Sequence, residues 1–346
     1  MSLNKEFLER DSNITVKILK DSLSDRGKRL IGYELEYPRY IHCELLTHRM
    51  LSKNCSSSRA IPIKKMLGYI EGNMAIPTYL GQNQGGMQAE VEIPDKDKAL
   101  GVWREGYAKV RDTVNELVGL GVHKQTANRL TESYQMMKVV VTATDWDNFW
   151  NLRLHKDAQP EFVMLVHKMY LAMQESTPVE LRAGEWHLPY VEMSQGENPE
   201  DTYYFYYEED KSGSETNGYL YEKRLTLEQA LKRSTSSCAS VSYRTEALSD
   251  KAVESIYNML VQAEVVHSSP LEHQGTPMKE AQWSMDGSDD VNLVDDVETW
   301  EEGVTHMKRT GDLCSGNLTG FIQHRHLLDN NTCWDFDFEK RYADFA

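Results

Sequence analysis

Apolar residues recur at spacings of three and four in three stretches of the chain, and this periodicity predicts three amphipathic helices. The first covers residues 97–118, the second begins near Ala158, and the third follows an acidic start at Asp250. Their apolar positions are Trp103, Tyr107, Val110, Val114 and Leu117, then Phe162, Leu165, Val166, Met169 and Met173, and finally Val253, Ile256, Tyr257 and Leu260. Stripes of this kind usually belong to the protein core, so we assign them no functional role.

The pattern changes to alternation at Arg29, where RLIGYELEYPRYIHCELLTHR begins with roughly every second residue apolar or aromatic. Alternation predicts a strand, which leads directly into a polar stretch at 45–62. The aromatic run YYFYY at 203–207 lies in sequence rich in turn-forming and acidic residues, so 192–218 is interpreted as an insertion with one edge strand or hairpin. A second surface segment is predicted at 286–302, which carries eight acidic residues and no lysine or arginine.

Composition excludes two classes of partner. The chain has 346 residues, 40% of them hydrophobic, and a formal charge of −16, so it can bury a large core but offers no concentrated positive surface for nucleic acid or an anionic membrane. No apolar run reaches the ~18–20 residues that cross a bilayer, and the N-terminal sequence has no signal-like hydrophobic region, so a cytoplasmic protein is expected. The five cysteines are scattered without a C-x-x-C pair, which favours reduced thiols and no metal centre.

The stretch LLTHRMLSKNCSSSRAIP at 45–62 concentrates the candidate chemistry. His48, Arg49 and Arg59 offer nitrogen donors and the serines at 56–58 add hydroxyls, a set that suits a phosphate. An arginine-capped loop with a serine helix cap would contain the same residue types, so both interpretations stay open on these residues alone. The sequence GQNQGG at 81–86 lacks the lysine of a phosphate loop and is interpreted as a turn that could line the site.

This stretch resembles the signature of the flavin-dependent thymidylate synthase (ThyX) family. That signature is Arg-His-Arg, seven residues, then Ser-x-Arg, and here Thr47-His48-Arg49 is followed by seven residues and Ser57-Ser58-Arg59. A second block, NFWNLRLHKDAQPE at 148–161, resembles the family's Asn-Phe-Leu-x-Leu-Arg segment and the His-Ala-Gln-x-Glu after it. HKQTANRL at 123–130 resembles the family's helix with a phosphate-contacting arginine, here Arg129.

A third set of similar segments stands in an unexpected place. SCASVSYRT (237–245) and HSSPLEHQ (267–274) resemble family segments that normally precede the signature, yet here they follow it by about two hundred residues. Gln323-His324-Arg325 echoes the signature again. We expect residues 1–175 and 235–346 to pack together as one catalytic unit, with 176–234 as an insertion or connection. Either the family's elements are permuted or the chain holds two related halves.

The resemblance implies a mixed α/β (α+β) fold with a mixed sheet and flanking helices, assembled as a homotetramer or a dimer of pseudo-dimers. It also implies an enzyme in which NADPH reduces FAD, methylenetetrahydrofolate gives a one-carbon unit, and reduced flavin supplies hydride to convert dUMP to dTMP. The nucleotide would contact Glu44, Ser57, Ser58, Arg59, Arg129 and Arg153, and the catalytic roles would fall to Arg153, beside the pyrimidine, and Ser57. The flavin would contact His48, Arg49, Asn54, Asn148, His267, Ser269 and Arg325.

Three positions depart from the family's pattern. Thr47 replaces the first arginine of the signature, Cys55 replaces a glutamate, and Glu44 stands where many members have glutamine beside the pyrimidine. A carboxylate accepts hydrogen bonds but cannot donate them, so the preferred base edge stays open. The alternatives are a related pyrimidine-nucleotide C5 enzyme, either a hydroxymethylase or one acting on dCMP, and a non-catalytic relative that binds nucleotide.

Some of these residues also have plainer interpretations. Arginines on helices commonly form ion pairs, which would account for Arg129 and Arg153 without a ligand. His267 and His273 flank Glu272, but no third ligand follows at a regular spacing, so a metal site is not expected.

Overall fold

A five-stranded sheet lies at the centre of the computed structural model, which describes residues 5–194, 202–208, 220–244, 248–263, 266–279, 300–329, 331–338, 341 and 343. Its strands are β1 (Thr15–Ser24), β2 (Arg29–Pro38), β3 (Ser52–Cys55), β4 (Met136–Ala143) and β5 (Val179–Leu181). They lie in the order β3–β4–β2–β1–β5, and every neighbouring pair is antiparallel except β1 with β5, which is parallel. This mixed sheet with flanking helices confirms the α/β fold class.

The other strands form three smaller sheets. One contains β6 (Glu192–Met193), β7 (Tyr203–Glu208) and β8 (Leu220–Leu225); the second pairs β9 (Gly275–Pro277) with β13 (Phe321–Gln323); the third contains β10 (His306–Met307), β11 (Leu313–Ser315) and β12 (Leu318–Thr319). The α-helices of the described residues are α1 (Lys5–Leu8), α2 (His42–Leu46), α3 (Ile63–Gly72), α4 (Lys96–Gly119), α5 (Lys124–Ala127), α6 (Asp147–Arg153), α7 (Pro160–Glu175), α8 (Leu227–Ser240) and α9 (Asp250–Val261). Short 3-10 helices cover Arg39–Ile41, Asn128–Tyr134, Val241–Tyr243, Ser269–Glu272 and His324–Leu327.

The three helices predicted from periodicity are confirmed as α4, α7 and α9. Asp95 caps α4 by accepting a hydrogen bond from the backbone of Lys98, and Pro160 occupies the first turn of α7, where its missing N–H costs nothing. Most of the α7 stripe is buried, but in α4 the ring of Trp103 stays partly exposed. The α4 stripe is therefore only in part a core surface.

The alternation of β2 divides its side chains between the two faces of the sheet. Ile31, Tyr33, Leu35 and Tyr37 are buried in the main core with residues from α6 and α7. Full burial of one such side chain stabilises a fold by about 1.5–3 kcal/mol. The intervening even-numbered residues of β2 face the opposite side.

The downstream part of the chain covers this opposite face. Thr142 Oγ1 of β4 is hydrogen-bonded to His273 Nδ1 at 2.8 Å, and Asn54 Nδ2 of β3 donates to the carbonyl of Cys238 in α8 at 3.1 Å. The displaced segments therefore pack on the same sheet as the signature. The described residues contain one sheet of this size, which favours permuted elements over two related halves. The sheet also continues through β5 to Leu181, beyond the expected boundary at residue 175.

The interpretation of YYFYY as an edge strand or hairpin is corrected in part. These residues lie in β7, which pairs with β6 on one side and β8 on the other, so β7 is the central strand of its sheet. Tyr203 and Tyr204 therefore have strand partners on both sides, whereas the rest of β7 pairs with β8 alone. Within the predicted insertions, 195–201, 209–219 and 286–299 lie outside the described residues.

In the ranges that the structure describes, no helix has both the length and the apolar character that crossing a bilayer requires.

Candidate active site

Arg153, the last residue of α6, connects that helix to the turn after α2. Its Nη1 donates to Glu44 Oε2 at 2.8 Å, its Nε donates to His48 Nε2 at 2.8 Å, and its Nη2 reaches Thr47 Oγ1 at 3.3 Å. The guanidinium carbon lies 5.0 Å from the centre of the Phe162 ring. One guanidinium therefore fixes three positions of the signature region. The predicted proximity of Arg153 to Glu44 and His48 is present within a single chain.

These contacts set the charge of the neighbouring groups. Burial, together with the positive charges of Arg153 and Lys53, lowers the pKa of His48 to about 4, so its imidazole is neutral near pH 7. Burial raises the pKa of Glu44, while the charge of Arg153 acts in the opposite direction. Lys53 Nζ, from β3, donates to the backbone carbonyl of His48 at 2.5 Å and closes the turn that carries the imidazole.

Arg153 also lies in the wall between two clefts. Cleft A has a volume of about 880 Å³ and is lined by Tyr40, Glu44, Pro77, Tyr79, Gly81, Trp103, Arg153, residues 87–90 and residues 156–161. Cleft B has a volume of about 730 Å³ and is lined by Arg29, Ile31, residues 47–51, residues 144–150, Leu152, Arg153 and Met173. Glu44 therefore faces cleft A, while His48, Arg49 and Asn148 face cleft B.

The other predicted phosphate contacts lie in a separate place. Arg59 and Arg129 line cleft C, which has a volume of about 600 Å³ and shares no lining residue with cleft A. The amide of the buried Asn128 donates to the carbonyl of Ser58 at 2.8 Å. This hydrogen bond fixes the turn around Ser58. Glu132 accepts hydrogen bonds from Arg129 Nη1 at 2.8 Å and from Ser58 Oγ at 3.1 Å. Within one chain, Arg59 and Arg129 are thus brought together, but not with Arg153.

Six predicted site residues lie outside the three clefts: Asn54, Ser57, Ser58, His267, Ser269 and Arg325. Asn54 points away from the signature turn because the strand alternates, which sends its amide toward α8. Ser57 is fixed through its backbone, whose N–H donates to the carbonyl of Ser242 at 3.0 Å.

The displaced block contributes an ion pair beside the signature. Arg325 Nη1 donates to Glu272 Oε1 at 2.5 Å, which ties the echoed signature to the Ser269–Glu272 turn. Burial lowers the pKa of Lys53, and the negative charge of Glu272 opposes this effect, which places Glu272 within electrostatic range of the signature turn. His267 and Ser269 themselves are exposed.

Sequence reasoning missed several residues of cleft A. Trp103 was assigned to a core stripe, but its Nε1 donates to the carbonyl of Ala75 at 3.0 Å and its ring lines the cleft. Glu161 is 3% exposed, and its Oε1 accepts from the backbone N–H of Thr78 at 2.8 Å and from the Thr78 hydroxyl at 3.2 Å. The signal for Glu161 was its place in the second matching block. The apolar spacing around Trp103 is the same for a core residue as for a residue that lines a cleft, so the sequence could not distinguish the two.

Among the residues that the structure describes, no three or more His, Cys, Asp or Glu side chains form a group that could hold a metal ion.

Comparisons with known proteins place the sequence signature in a family. The sequence model of the family described as thymidylate synthase complementing protein matches residues 31–179. No curated protein sequence matches the chain. Two solved structures of the UMP/dUMP methylase PolB from Streptomyces cacaoi, each 16% identical and aligned over 48% of this chain, are similar to it. The one bound with 5-Br UMP has a TM-score of 0.41 and is covered over 90% of its length, and the one bound with 5-Br dUMP has a TM-score of 0.39 and is covered over 91%. The match to the thymidylate synthase complementing protein family covers most of β2, all of β3 and β4, and the whole Arg153 network, as the ThyX resemblance predicted.

Proposed function

We propose that this protein is a flavin-dependent thymidylate synthase that converts dUMP to dTMP with a one-carbon unit from methylenetetrahydrofolate. The observation that carries this proposal is the position of Arg153, which lies within the segment that matches the family and lines two adjacent clefts at once. A transferase of this type needs a nucleotide and a flavin close to each other. Clefts A and B meet this requirement because the guanidinium of Arg153 lines both of them.

Cleft A suits the pyrimidine nucleotide. Its partly exposed rings, Tyr40, Tyr79 and Trp103, offer flat apolar surface to a planar base. Glu44 and Arg153 stand side by side as an acceptor and a donor, which matches the alternating donors and acceptors of a pyrimidine edge. A cation beside the base also stabilises the negative charge that develops on a ring carbonyl oxygen when C5 reacts. Arg153 therefore has both a binding role and a catalytic role.

Cleft B suits FAD. His48, Arg49 and Asn148 place ring, guanidinium and amide donors beside the aromatic residues of α6. Within the described part of the chain the Arg49 guanidinium has no ion-pair partner, so it is available to a pyrophosphate. The neutral His48 can offer its second ring nitrogen to the cofactor because Nε2 is already used by Arg153. When bound and reduced by NADPH, FAD supplies the hydride of this reaction.

A second copy of the chain would complete the nucleotide site. The nucleotide phosphate needs several charge-assisted donors, and the arginines predicted for it, Arg59 and Arg129, lie in cleft C rather than cleft A. We place cleft C of one protomer against cleft A of its partner in a homo-oligomer. The support is an apolar surface around the Arg153 turn, where Leu46, Met50, Leu152 and Leu154 are 37% to 49% exposed. An interface would bury these side chains.

Product analysis tests the proposal directly. The purified protein is expected to carry FAD, to lose its flavin absorption anaerobically with NADPH, and to form dTMP from dUMP and methylenetetrahydrofolate by mass spectrometry. Flavin and nucleotide binding without turnover would instead identify a non-catalytic relative. Failure to bind either ligand would contradict the proposal.

A second candidate substrate follows from Glu44. Its carboxylate can accept a hydrogen bond from the exocyclic amino group of cytosine, so dCMP is offered in a parallel reaction, and products are checked for hydroxymethyl as well as methyl groups. Glu44→Gln serves as the matched variant because the amide keeps the shape but restores a donor. A methylated product from dCMP alone would assign the base to cytosine.

A further inference from the structure

Residues 82–91 form a strap across one side of cleft A. Backbone hydrogen bonds close its base, from Gln82 N to Val91 O at 2.7 Å and from Ile93 N to Leu80 O at 2.8 Å. Residues 87–90 of the strap line the cleft itself. The two ends of the segment, at Gln82 and Val91, therefore lie next to each other, and the residues between them extend along cleft A.

The two roots of the strap are firmly held. Glu92 accepts a two-pronged pair from Arg10, at 3.0 and 2.8 Å, and a further hydrogen bond from Lys96 at 2.5 Å. On the other side, Thr78 is bound through its N–H and its hydroxyl to the buried carboxylate of Glu161. Fixed roots restrict any movement to the segment between them.

The strap between these roots is loosely held. None of residues 82–91 is buried, and the Met87 side chain is 99% exposed although it lines the cleft. A hydrogen bond from Gln88 Nε2 to the backbone carbonyl of Asp157 ties the strap to the turn after α6. A methyl group on Gly81 would lie 2.1 Å from the Ala89 side chain, so the strap folds back closely on its own base. Segments with little buried apolar surface open at low free-energy cost.

The chemistry of the strap suits contact with a heterocycle. Within residues 82–91 one side chain is charged, that of Glu90, and four are amides, Gln82, Asn83, Gln84 and Gln88. Primary amides both donate and accept hydrogen bonds, so they can meet either type of edge without adding charge to the cleft. A ligand beneath the strap would also bury part of the exposed Met87 side chain.

We propose that residues 82–91 are a lid that is ordered by the nucleotide in cleft A, and that Gln88 is the residue that latches it. This inference rests on the proposed function because it takes the nucleotide as the occupant of cleft A. Closure of the lid excludes water from the base and slows release of the nucleotide. Without the hydrogen bond from Gln88 to Asp157, the lid closes less completely and the nucleotide dissociates faster.

Hydrogen exchange on the full-length protein tests this inference, with and without dUMP. We expect dUMP to slow the exchange of backbone amides in 82–91, and Gln88→Ala to weaken dUMP binding about three- to tenfold, the effect of one hydrogen bond, mainly through faster dissociation. The matched control is Gln174→Ala, the same change at an exposed position near the end of α7, which should leave both measurements unchanged.

Two results separate the failure of this inference from the failure of the proposed function. If the wild-type protein binds dUMP but exchange in 82–91 does not change, or if Gln88→Ala binds like the wild type, the lid is wrong and the enzyme assignment stands. If the wild-type protein does not bind dUMP in calorimetry, the proposed function fails, and the lid fails with it.

Discussion

Arg153 donates a hydrogen bond from Nε to Nε2 of His48 across 2.8 Å, which makes the imidazole an acceptor at that nitrogen. The proton of the neutral ring must then lie on Nδ1. The pKa of about 4 for His48 keeps this arrangement intact throughout the neutral range. The same guanidinium thus holds Glu44 through an ion pair and sets the orientation and tautomer of His48 through a hydrogen bond.

The first prediction concerns the catalytic assignments. Arg153→Ala and Ser57→Ala are each expected to abolish turnover. For Arg153→Ala the loss in kcat should be at least about 100-fold, because a donor to developing charge contributes on that scale. For Ser57→Ala the loss should follow from the missing hydroxyl contact to the nucleotide. Size-exclusion chromatography should show the oligomer intact in both. Arg111→Ala removes a partly exposed arginine of α4 outside the three clefts and serves as the control. Normal activity of either site variant would overturn its assignment.

The second prediction tests whether two protomers build one nucleotide site. Arg59→Ala and Arg153→Ala are each expected to be inactive alone, but a pair of protomers with one of each variant has one site with both arginines. Coexpression in equal amounts gives half mixed pairs, each with one intact site of two, so about a quarter of wild-type activity should return. Activity that stays at the level of the separate variants would show that the two arginines do not serve a shared site.

The third prediction concerns Lys53, whose ammonium group holds the carbonyl of His48. Lys53→Met removes this donor, and we expect FAD to bind about tenfold more weakly because the turn that presents His48 loses its closing contact. Fluorescence titration of the flavin-free protein gives the affinity. Lys64→Met, at an exposed site on α3, should bind as the wild type does. Equal affinity in both variants would remove Lys53 from the site.

The fourth prediction concerns pH and stability. Burial, aided by Arg39 and Lys53, lowers the pKa of His42 from 6.5 to about 4. The unfolded chain therefore binds a proton between these values while the folded protein does not, and stability is lost as the pH falls through this window. Urea unfolding should give a lower free energy at pH 5 than at pH 7.

The variant His42→Gln isolates this contribution. Glutamine keeps an acceptor for the Tyr37 hydroxyl, which lies 2.7 Å from His42 Nδ1, but it does not titrate. The difference in stability between pH 7 and pH 5 should therefore shrink in this variant. The exposed His123→Gln is the comparison, and an equal effect of both changes would contradict the assignment.

Periodicity and motif spacing predicted the parts of the fold and site that depend on local sequence. The strand β2 and the helices α4, α7 and α9 followed from apolar spacing, because each buries one face. The proximity of Arg153 to His48 followed from the family resemblance rather than from any pattern in the chain. This contact joins the two segments that resemble the family most, 45–62 and 148–161.

The remaining features depend on tertiary packing, which spacing does not encode. The amide of Asn54 turns toward α8 because its strand alternates in register with β4, and register cannot be read from a four-residue strand. Trp103 belongs to an apolar stripe, yet its ring stays partly exposed and lines cleft A. Arg59 and Arg153 line separate clefts of one chain, although the family resemblance assigned both to the nucleotide.

Because Arg153 lines both clefts, ligand binding in cleft A and ligand binding in cleft B are linked equilibria. A ligand that moves Arg153 in cleft A changes the affinity of cleft B, and thermodynamic reciprocity requires an equal factor in the opposite direction. Saturation of one cleft would then change the ligand affinity of the other by this factor. Titrating each ligand in the presence of the other would yield a single coupling constant, whichever is added first.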